Sequence, residues 1–324
     1  MNLKLQPKGI SIVIPNYNGA HFLESCLNSL LTSISLCPTT HFEIILVDNA
    51  SSDDSISLFN SFMSSSIQRH CEPAAAGVAI SLPTNTGFAY AVNRGIEASK
   101  FDHVCVCNND LTVHKSWFKE IVTTIRQNKD PKITTFFGLV LNKDGTKVES
   151  RGLKFYPYGK AQNLDNSLPY LRTSAPAHQR TNYLIWGASA SIVVYHKPTL
   201  LKVGLFDERF FAYEEDVDLA YRLAKSGFKT LFVPTAISHH LGGGTSSKMG
   251  NFRHQHDFKN WILLIAKNYS LKEILQNFPA IFIERLRNLS GLIKSTPFLE
   301  IPQTLIKVFS LTLRALSSPP YSSS

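Results

Sequence analysis

Short apolar runs alternate with helical spacings through the first half of the chain. Ile10 to Pro15 is a β-branched run, and after it Phe22, Cys26, Leu27 and Leu30 fall on one helical face. Phe42 to Val47 is a second buried strand, closed by Asp48 and the polar cluster Asn49 to Asp54, where a helix should start. Val78 to Leu82, a helix from Gly87 to Ser99, the strand His103 to Cys107 and a helix from Ser116 to Gln127 continue the alternation. Strand and helix in turn with short connections predict parallel strands covered by helices, and ligands of such sheets bind where strands end at their carboxyl edge. Three of these strands run into polar residues there: Asn16-Tyr17-Asn18, Asp48-Asn49 and Asn108-Asn109-Asp110. A nucleotide-sized crevice is implied.

The middle, Thr134 to Tyr195, reads as further strands with an irregular polar insert around Tyr156 to Arg180. Leu205 to Arg209 then leads into a carboxylate cluster and a helix from Asp216 to Ser226, stopped by Gly227, and Thr230 to Val233 is a strand. A glycine-rich loop from His239 to Thr245 follows. From Arg253 the pattern is helical, with Pro279, Pro297 and Pro302 expected as breaks and the final SSPPYSSS expected to fray. The expected division is residues 1–250 as the catalytic domain and 251–324 as a basic, amphipathic helical extension.

With 324 residues, 44% hydrophobic and 18% charged, a sizeable core is available and the disordered and disulfide-scaffold classes are excluded. No apolar run approaches the roughly 18 to 20 residues of a spanning helix. The N-terminal stretch carries no apolar h-region, and the five cysteines form no CxxC pair, so a reduced cytoplasmic chain is expected. Cys105 and Cys107 point to one strand face and read as core. From Thr245 onward the chain holds 10 basic and 4 acidic residues, so +6 of the net +9 belongs to the tail. Basic residues scattered among Leu, Ile and Phe point to an anionic membrane surface rather than to nucleic acid, with a plain solvated face as the alternative.

The chain has neither GxGxxG nor GxxxxGK[ST], so phosphate must be neutralised by other means. Asp110, at a buried strand end, offers a hard oxygen suited to Mg²⁺ or Mn²⁺, although an Asp in that place is commonly a turn or cap residue. Glu214, Glu215, Asp216 and Asp218 form the densest acidic patch, preceded by Phe206, Phe210, Phe211 and Tyr213. A favourable helix N-terminus explains one or two of these carboxylates but not four; one could accept a proton from a sugar hydroxyl. Either of His239 and His240 could contact a metal or phosphate. Trp186-Gly187 suits a stacked sugar ring and ordinary core packing equally well.

Together the stretches SIVIPNYNGAHFLESCLNSLL, FEIILVDNASSDDS, NTGFAYAVNRGI, VCVCNNDLTV, WGASASIVVYHKPTLLKVGLFDERFFAYEEDVDLAYRLAKSGFKTLFVP and HHLGGGTS, in this order over residues 10 to 247, resemble the inverting family 2 glycosyltransferases of the rhamnosyltransferase-like branch. The resemblance implies an α/β GT-A fold with one Rossmann-like nucleotide-sugar-binding sheet. It implies that Pro15, Tyr17 and Asp48 hold base and ribose, that Asn85, Gly87, Asn93 and Asn109 shape the nucleotide pocket, and that Trp186 and Gly187 meet the acceptor. Asp110 corresponds to the last carboxylate of the family's DxD motif, whose first position is Asn108 here, and His240 to its late metal-contacting histidine. Asp216 corresponds to the catalytic base, with Glu215 supporting it.

The implied reaction moves a sugar, dTDP-rhamnose being the favoured donor, to a glycan or polyprenyl-diphosphate-linked acceptor in cell-surface polysaccharide synthesis. A peripheral site on the cytoplasmic face of the plasma membrane is implied for it. The alternatives are a UDP-hexose or UDP-galactofuranose transferase, a non-catalytic glycan- or nucleotide-binding relative, and a nucleotidyltransferase, which the absence of a glycine-rich, lysine-bearing N-terminal loop disfavours.

Overall fold

A computed structural model describes residues 7–69, 76–164, 182–242 and 251–317. The first half runs β1 (Gly9–Asn16), α1 (Ala20–Ile34), β2 (His41–Asp48), α2 (Ser55–Arg69), β3 (Ala76–Ser81), α3 (Phe88–Ala98), β4 (His103–Cys107), β5 (Leu111–Val113) and α4 (Trp117–Gln127). The second half begins with β6 (Ile133–Asn142), β7 (Val148–Ser150), β8 (Leu153–Tyr156), β9 (Lys160–Asn163), β10 (Tyr183–Ile185) and β11 (Ile192–His196). It continues with α5 (Lys197–Val203), α6 (Glu215–Lys225), β12 (Lys229–His240), α7 (Phe252–Asn268), α8 (Leu271–Lys294) and α9 (Ile301–Ser317).

One ten-stranded sheet carries the molecule, in the order β10-β12-β6-β11-β4-β1-β2-β3, with β5 beside β12 and β7 beside β6. The strands β3, β2, β1 and β4 are mutually parallel, β11 runs antiparallel to both β4 and β6, and β12 is parallel to β6. Ile10, Ile12, Val13 and Ile14 are fully buried, as an apolar strand covered on both faces must be. Helix α3 packs on β1 and β2 through Gly95, where an added Cβ would collide with Val13. Cys105 and Cys107 lie in the core as expected. This is the α/β GT-A arrangement with C-terminal helices.

Three expectations are corrected. His239 and His240 close a 12-residue strand rather than lying in a glycine-rich loop, since β12 pairs there with Thr112 and Leu111 of β5 and with Leu141 and Asn142 of β6. The register shift between Val233 and Ile237, around Pro234, hides this continuation from an alternation count. Pro279 sits inside α8 rather than ending a helix, and the capping box of Ser270 and Glu273 secures that helix's start. On α1, Leu23 rather than Phe22 joins Cys26, Leu27 and Leu30 in the core. Much of the polar insert, Gly243 to Thr245, Cys71 and the chain end fall outside the described residues.

Candidate active site

A cleft of about 920 Å³ opens at the carboxyl ends of β1, β2 and β4. Its first wall is built from amides. Asn16 Nδ2 donates to Asp48 Oδ1 (3.0 Å) and to Ser51 Oγ (3.1 Å), and Asn109 Nδ2 donates to Asn16 Oδ1 (2.7 Å). Asn49 Nδ2 donates to Asn85 Oδ1 (3.0 Å) and to the Gly87 carbonyl (3.1 Å), while Asn49 Oδ1 accepts from the Thr86 amide (2.9 Å). These short side chains, each fixed by another, hold β1, β2 and the start of α3 in one geometry without a net charge beyond that of Asp48.

Past the end of β4 the wall becomes ionic. Asp110 is buried in the turn between β4 and β5, and its Oδ2 accepts from His240 Nε2 at 3.0 Å. His240 Nδ1 meets Glu149 Oε2 at 2.7 Å. The bond to Asp110, opposed by burial and reinforced by Glu149, pushes the His240 pKa up to about 9, so the ring donates to both carboxylates at neutral pH. Asp110 Oδ1 and Asn108 Oδ1 are buried acceptors with no hydrogen-bond partner among the described residues. Two such orphaned oxygens beside an imidazole are an oxygen-rich set suited to a hard divalent cation. Among the described residues no three His, Cys, Asp or Glu side chains close around a metal by themselves.

The opposing wall is acidic and strained. Phe211, Tyr213 and Glu214 all have positive φ, at 66°, 68° and 64°, a left-handed backbone costing roughly 1 to 3 kcal/mol per non-glycine residue. Helix α7 holds this loop from behind. Asn260 Nδ2 approaches the carbonyls of Phe210, Ala212 and Tyr213 (3.1, 2.8 and 2.7 Å), and Lys259 Nζ donates to those of Arg209 and Phe210 (2.7 and 3.1 Å). Gly87, with φ 87°, lets the Phe211 carbonyl approach the amide wall; a Cβ there would meet that oxygen at 2.5 Å.

The loop delivers Glu214, Glu215 and Asp216 to the cleft at the start of α6. Burial and then the charge of Asp216 push the Glu215 carboxyl up to about 8, and its Oε2 has no hydrogen-bond partner among the described residues. Burial raises Asp216 as well, against the bonds its carboxylate accepts from the amides of Ala190 (3.1 Å) and Val217 (2.8 Å). Burial drives Glu214 well above the usual carboxylate range. Beneath them Asp207 is held below that range: burial alone would raise it, but Arg209 and Lys267 bind it. The turn before β11 ties the walls together, since the Ser191 carbonyl accepts from the Asn108 amide (2.8 Å) while Ala190 binds Asp216.

The structure therefore brings Pro15, Tyr17, Asn85, Gly87, Asn109, Asp110, Glu215, Asp216 and His240 into one cleft. Asp48, Asn93, Trp186 and Gly187 are not among its lining residues. Asp48 is buried behind Asn16, with its oxygens already accepting from Asn16 and the Ser51 amide. Asn93 is fully buried and staples α3 to the Phe206 backbone and to Glu208. Trp186 stacks on Phe155 (ring centroids 4.6 Å apart) in a second apolar cluster, and Gly187 is pressed against Ala220, so core packing wins there. Sequence reasoning missed Glu149, Ser189 to Ser191 and the α7 residues Phe252, Arg253 and Asp257, which line or support the cleft from distant positions. The helical pattern announced α7, but nothing local in it announces contact with the cleft.

The N-acetylglucosaminyl-diphospho-decaprenol L-rhamnosyltransferase of Mycobacterium tuberculosis is 26% identical over 268 residues, covering 75% of this chain and 80% of that protein. The Streptococcus pneumoniae glycosyltransferase GlyG is 27% identical over 203 residues, covering 63% of this chain and 60% of its own. Among solved structures, the Pyrobaculum calidifontis mannosyltransferase PcManGT with GDP-Man and Mn²⁺ aligns with TM-score 0.55 at 13% identity, over 97% of this chain and 76% of that one. S. aureus TarS with UDP-GlcNAc aligns with TM-score 0.59 at 16% identity, over 95% and 81%. At these identities the structures speak for the fold alone. The family model for glycosyl transferase family 2 matches residues 11–172, half of the chain, and the protein is a glycosyltransferase that belongs to this family.

Proposed function

We propose that the protein transfers a sugar, with inversion, from a nucleotide-sugar donor to a hydroxyl of a polyprenyl-diphosphate-linked glycan in cell-surface polysaccharide synthesis. A dTDP-rhamnose donor is favoured because a relative matched along most of its length is a rhamnosyltransferase named for such a lipid-linked substrate. A lipid-linked acceptor puts the reaction at a membrane surface, for which we propose peripheral attachment on the cytoplasmic face. The observation that carries the reading is the pairing of two unlike walls in one cleft: orphaned oxygens at Asn108 and Asp110 beside His240, and ionisable carboxyls at Glu215 and Asp216. Residues 1–250 form the catalytic unit in this reading, completed by α7 from the extension.

Pro15, Tyr17, Asn85, Gly87 and Asn109 would seat the nucleotide, whose diphosphate then lies toward Asp110. Asp110, with the Asn108 amide oxygen, would hold Mg²⁺ or Mn²⁺, and His240 would join them once its Nε2 gives up the proton it now donates to Asp110; the cation when bound offsets charge developing on the departing diphosphate. Asp216, fixed by two backbone amides, takes the proton from the acceptor hydroxyl as its oxygen attacks the anomeric carbon from the side opposite the leaving group. Glu215, protonated through the neutral range, keeps a second negative charge away from Asp216. A nucleoside diphosphate leaves, and attack from the opposite face inverts the anomeric centre.

A panel of nucleotide-sugars assayed for nucleoside diphosphate release, with and without EDTA and with Asp110→Ala, tests the reading. One donor should be turned over, and both treatments should lower turnover by about 10²-fold or more. Full activity in EDTA would remove the metal from the account, and release from no donor would remove the transfer.

A further inference from the structure

Fourteen of the eighteen large apolar side chains that are exposed among the described residues lie between Leu271 and Leu316. On α8, Leu271, Leu275, Phe278, Phe282, Leu286 and Ile293 follow one another at intervals of three, four or seven, so they form one stripe along the helix. That stripe is distinct from the helix's inner side, where Ile281, Glu284 and Leu292 are buried. Helix α9 repeats the arrangement, burying Thr304, Val308, Thr312 and Ala315 while Ile306, Phe309 and Leu313 face outward. In the turn between the two helices Phe298 and Leu299 are 85% and 87% exposed. Apolar patches of this extent on a folded chain mark an interaction surface.

Charge selects the partner. Lys272, Arg287 and Lys294 are exposed along one side of the α8 stripe, and Lys307 and Arg314 are exposed on α9. Of the three acidic residues on these helices and the turn between them, Glu284 is buried against Lys160 and Arg287, and Glu273 is used in the cap of α8, leaving Glu300 fully outward. An apolar stripe flanked by lysine and arginine matches the boundary between acyl chains and anionic headgroups, with the long basic side chains reaching the phosphates. A second copy packed antiparallel on the same stripe would set the basic flanks of both copies against each other.

We propose that α8, the Phe298-Leu299 turn and α9 form a docking surface that lies in the interface of an anionic bilayer. Both helices pack on α7, the helix whose Lys259 and Asn260 hold the acidic loop, so the bilayer contact lies one helix away from the acidic wall. No described helix is long and apolar enough to cross the membrane, so the attachment is in-plane. The proposal deepens the reading above, which supplies the lipid-linked acceptor as its purpose, but the surface itself is measured without any sugar.

The test is flotation of the full chain with phosphatidylcholine vesicles and with vesicles enriched in phosphatidylglycerol, at low and high salt, compared with a variant carrying Phe278→Ser, Phe282→Ser and Phe309→Ser. Leu201→Ser, an exposed leucine elsewhere, is the control. The wild type and the control should float with the anionic vesicles and be weakened by salt, and the triple variant should lose about tenfold or more in partitioning while keeping its nucleoside diphosphate release in vesicle-free solution. Absence of vesicle binding at low salt, equal binding by the triple variant, or a dimer that the triple variant dissociates without any vesicle binding would overturn the proposal. Vesicle binding by a protein that turns over no donor would leave the docking surface standing and remove the transfer reading instead.

Discussion

The two walls of the cleft are built on opposite physical plans. The amide wall, Asn16, Asn49, Asn85 and Asn109, is assembled from uncharged side chains linked by hydrogen bonds, at and just past the ends of the buried strands β1, β2 and β4 and in the connection before α3. The acidic wall gathers Glu214, Glu215 and Asp216 on a left-handed loop held by a helix nearly fifty residues later in the chain. The first plan gives a rigid, neutral bed suited to a nucleotide. The second keeps carboxyls under desolvation and mutual repulsion, the condition under which a carboxylate gains proton affinity. In the proposed function this contrast assigns binding to one wall and proton transfer to the other, and breaking each wall in turn tests that separation.

The largest effect is expected from Asp216→Asn. Asparagine keeps the size of the side chain but cannot take a proton, so sugar transfer should fall by about 10²-fold to 10⁴-fold. A steady-state assay of transfer checks it, and a near wild-type rate would blur the two walls into one. Next is Asn260→Ala, which strips the carbonyls of Phe210, Ala212 and Tyr213 of their shared donor. Unfolding titrations should show a loss of about 1 to 3 kcal/mol, with transfer lowered and the nucleotide dissociation constant unchanged. A weakened nucleotide affinity would mean that the loop also shapes the amide wall, through Gly87.

The smallest effect is a pH slope. Glu215 has its carboxyl raised from 4.5 to about 8 by burial and by Asp216. Between those values the unfolded chain releases a proton that the folded chain keeps, so this group costs nothing below the lower value and progressively destabilises the fold as pH rises to about 8. Glu215→Gln removes the titration. Melting temperatures should therefore be nearly equal for the two proteins near pH 4.5 and diverge in favour of the variant toward pH 8; a constant difference would show that Glu215 is not held protonated.

The amide wall was legible in the sequence because its parts are local. A β-branched run ending in asparagine or aspartate announces both the strand and the residue at its carboxyl edge, as at Asn16, Asp48 and Asn108-Asn109-Asp110. Asp48 and Asn93 were singled out, yet both are turned inward as supports, a difference of side-chain direction that strand order does not encode. The acidic wall was legible as composition only. That Asn260 and Lys259 would clamp it, or that Glu149 would meet His240 across 91 positions, depends on long-range packing that no local period carries. Trp186 shows the converse: an aromatic beside glycine fitted a sugar platform, and Phe155 took the place of the sugar.

The most direct test of separable walls is the affinity of a nucleoside diphosphate, measured calorimetrically with Mn²⁺ present, for the wild type and for Asp216→Asn. The account predicts dissociation constants equal within about twofold, because Asp216 accepts from the amides of Ala190 and Val217 and bonds to none of the amide-wall side chains, and its proposed role is to take the acceptor's proton. Loss of nucleotide binding together with thermal stability in Asp216→Asn would contradict it, and would make Asp216 a structural cap of α6 rather than the base.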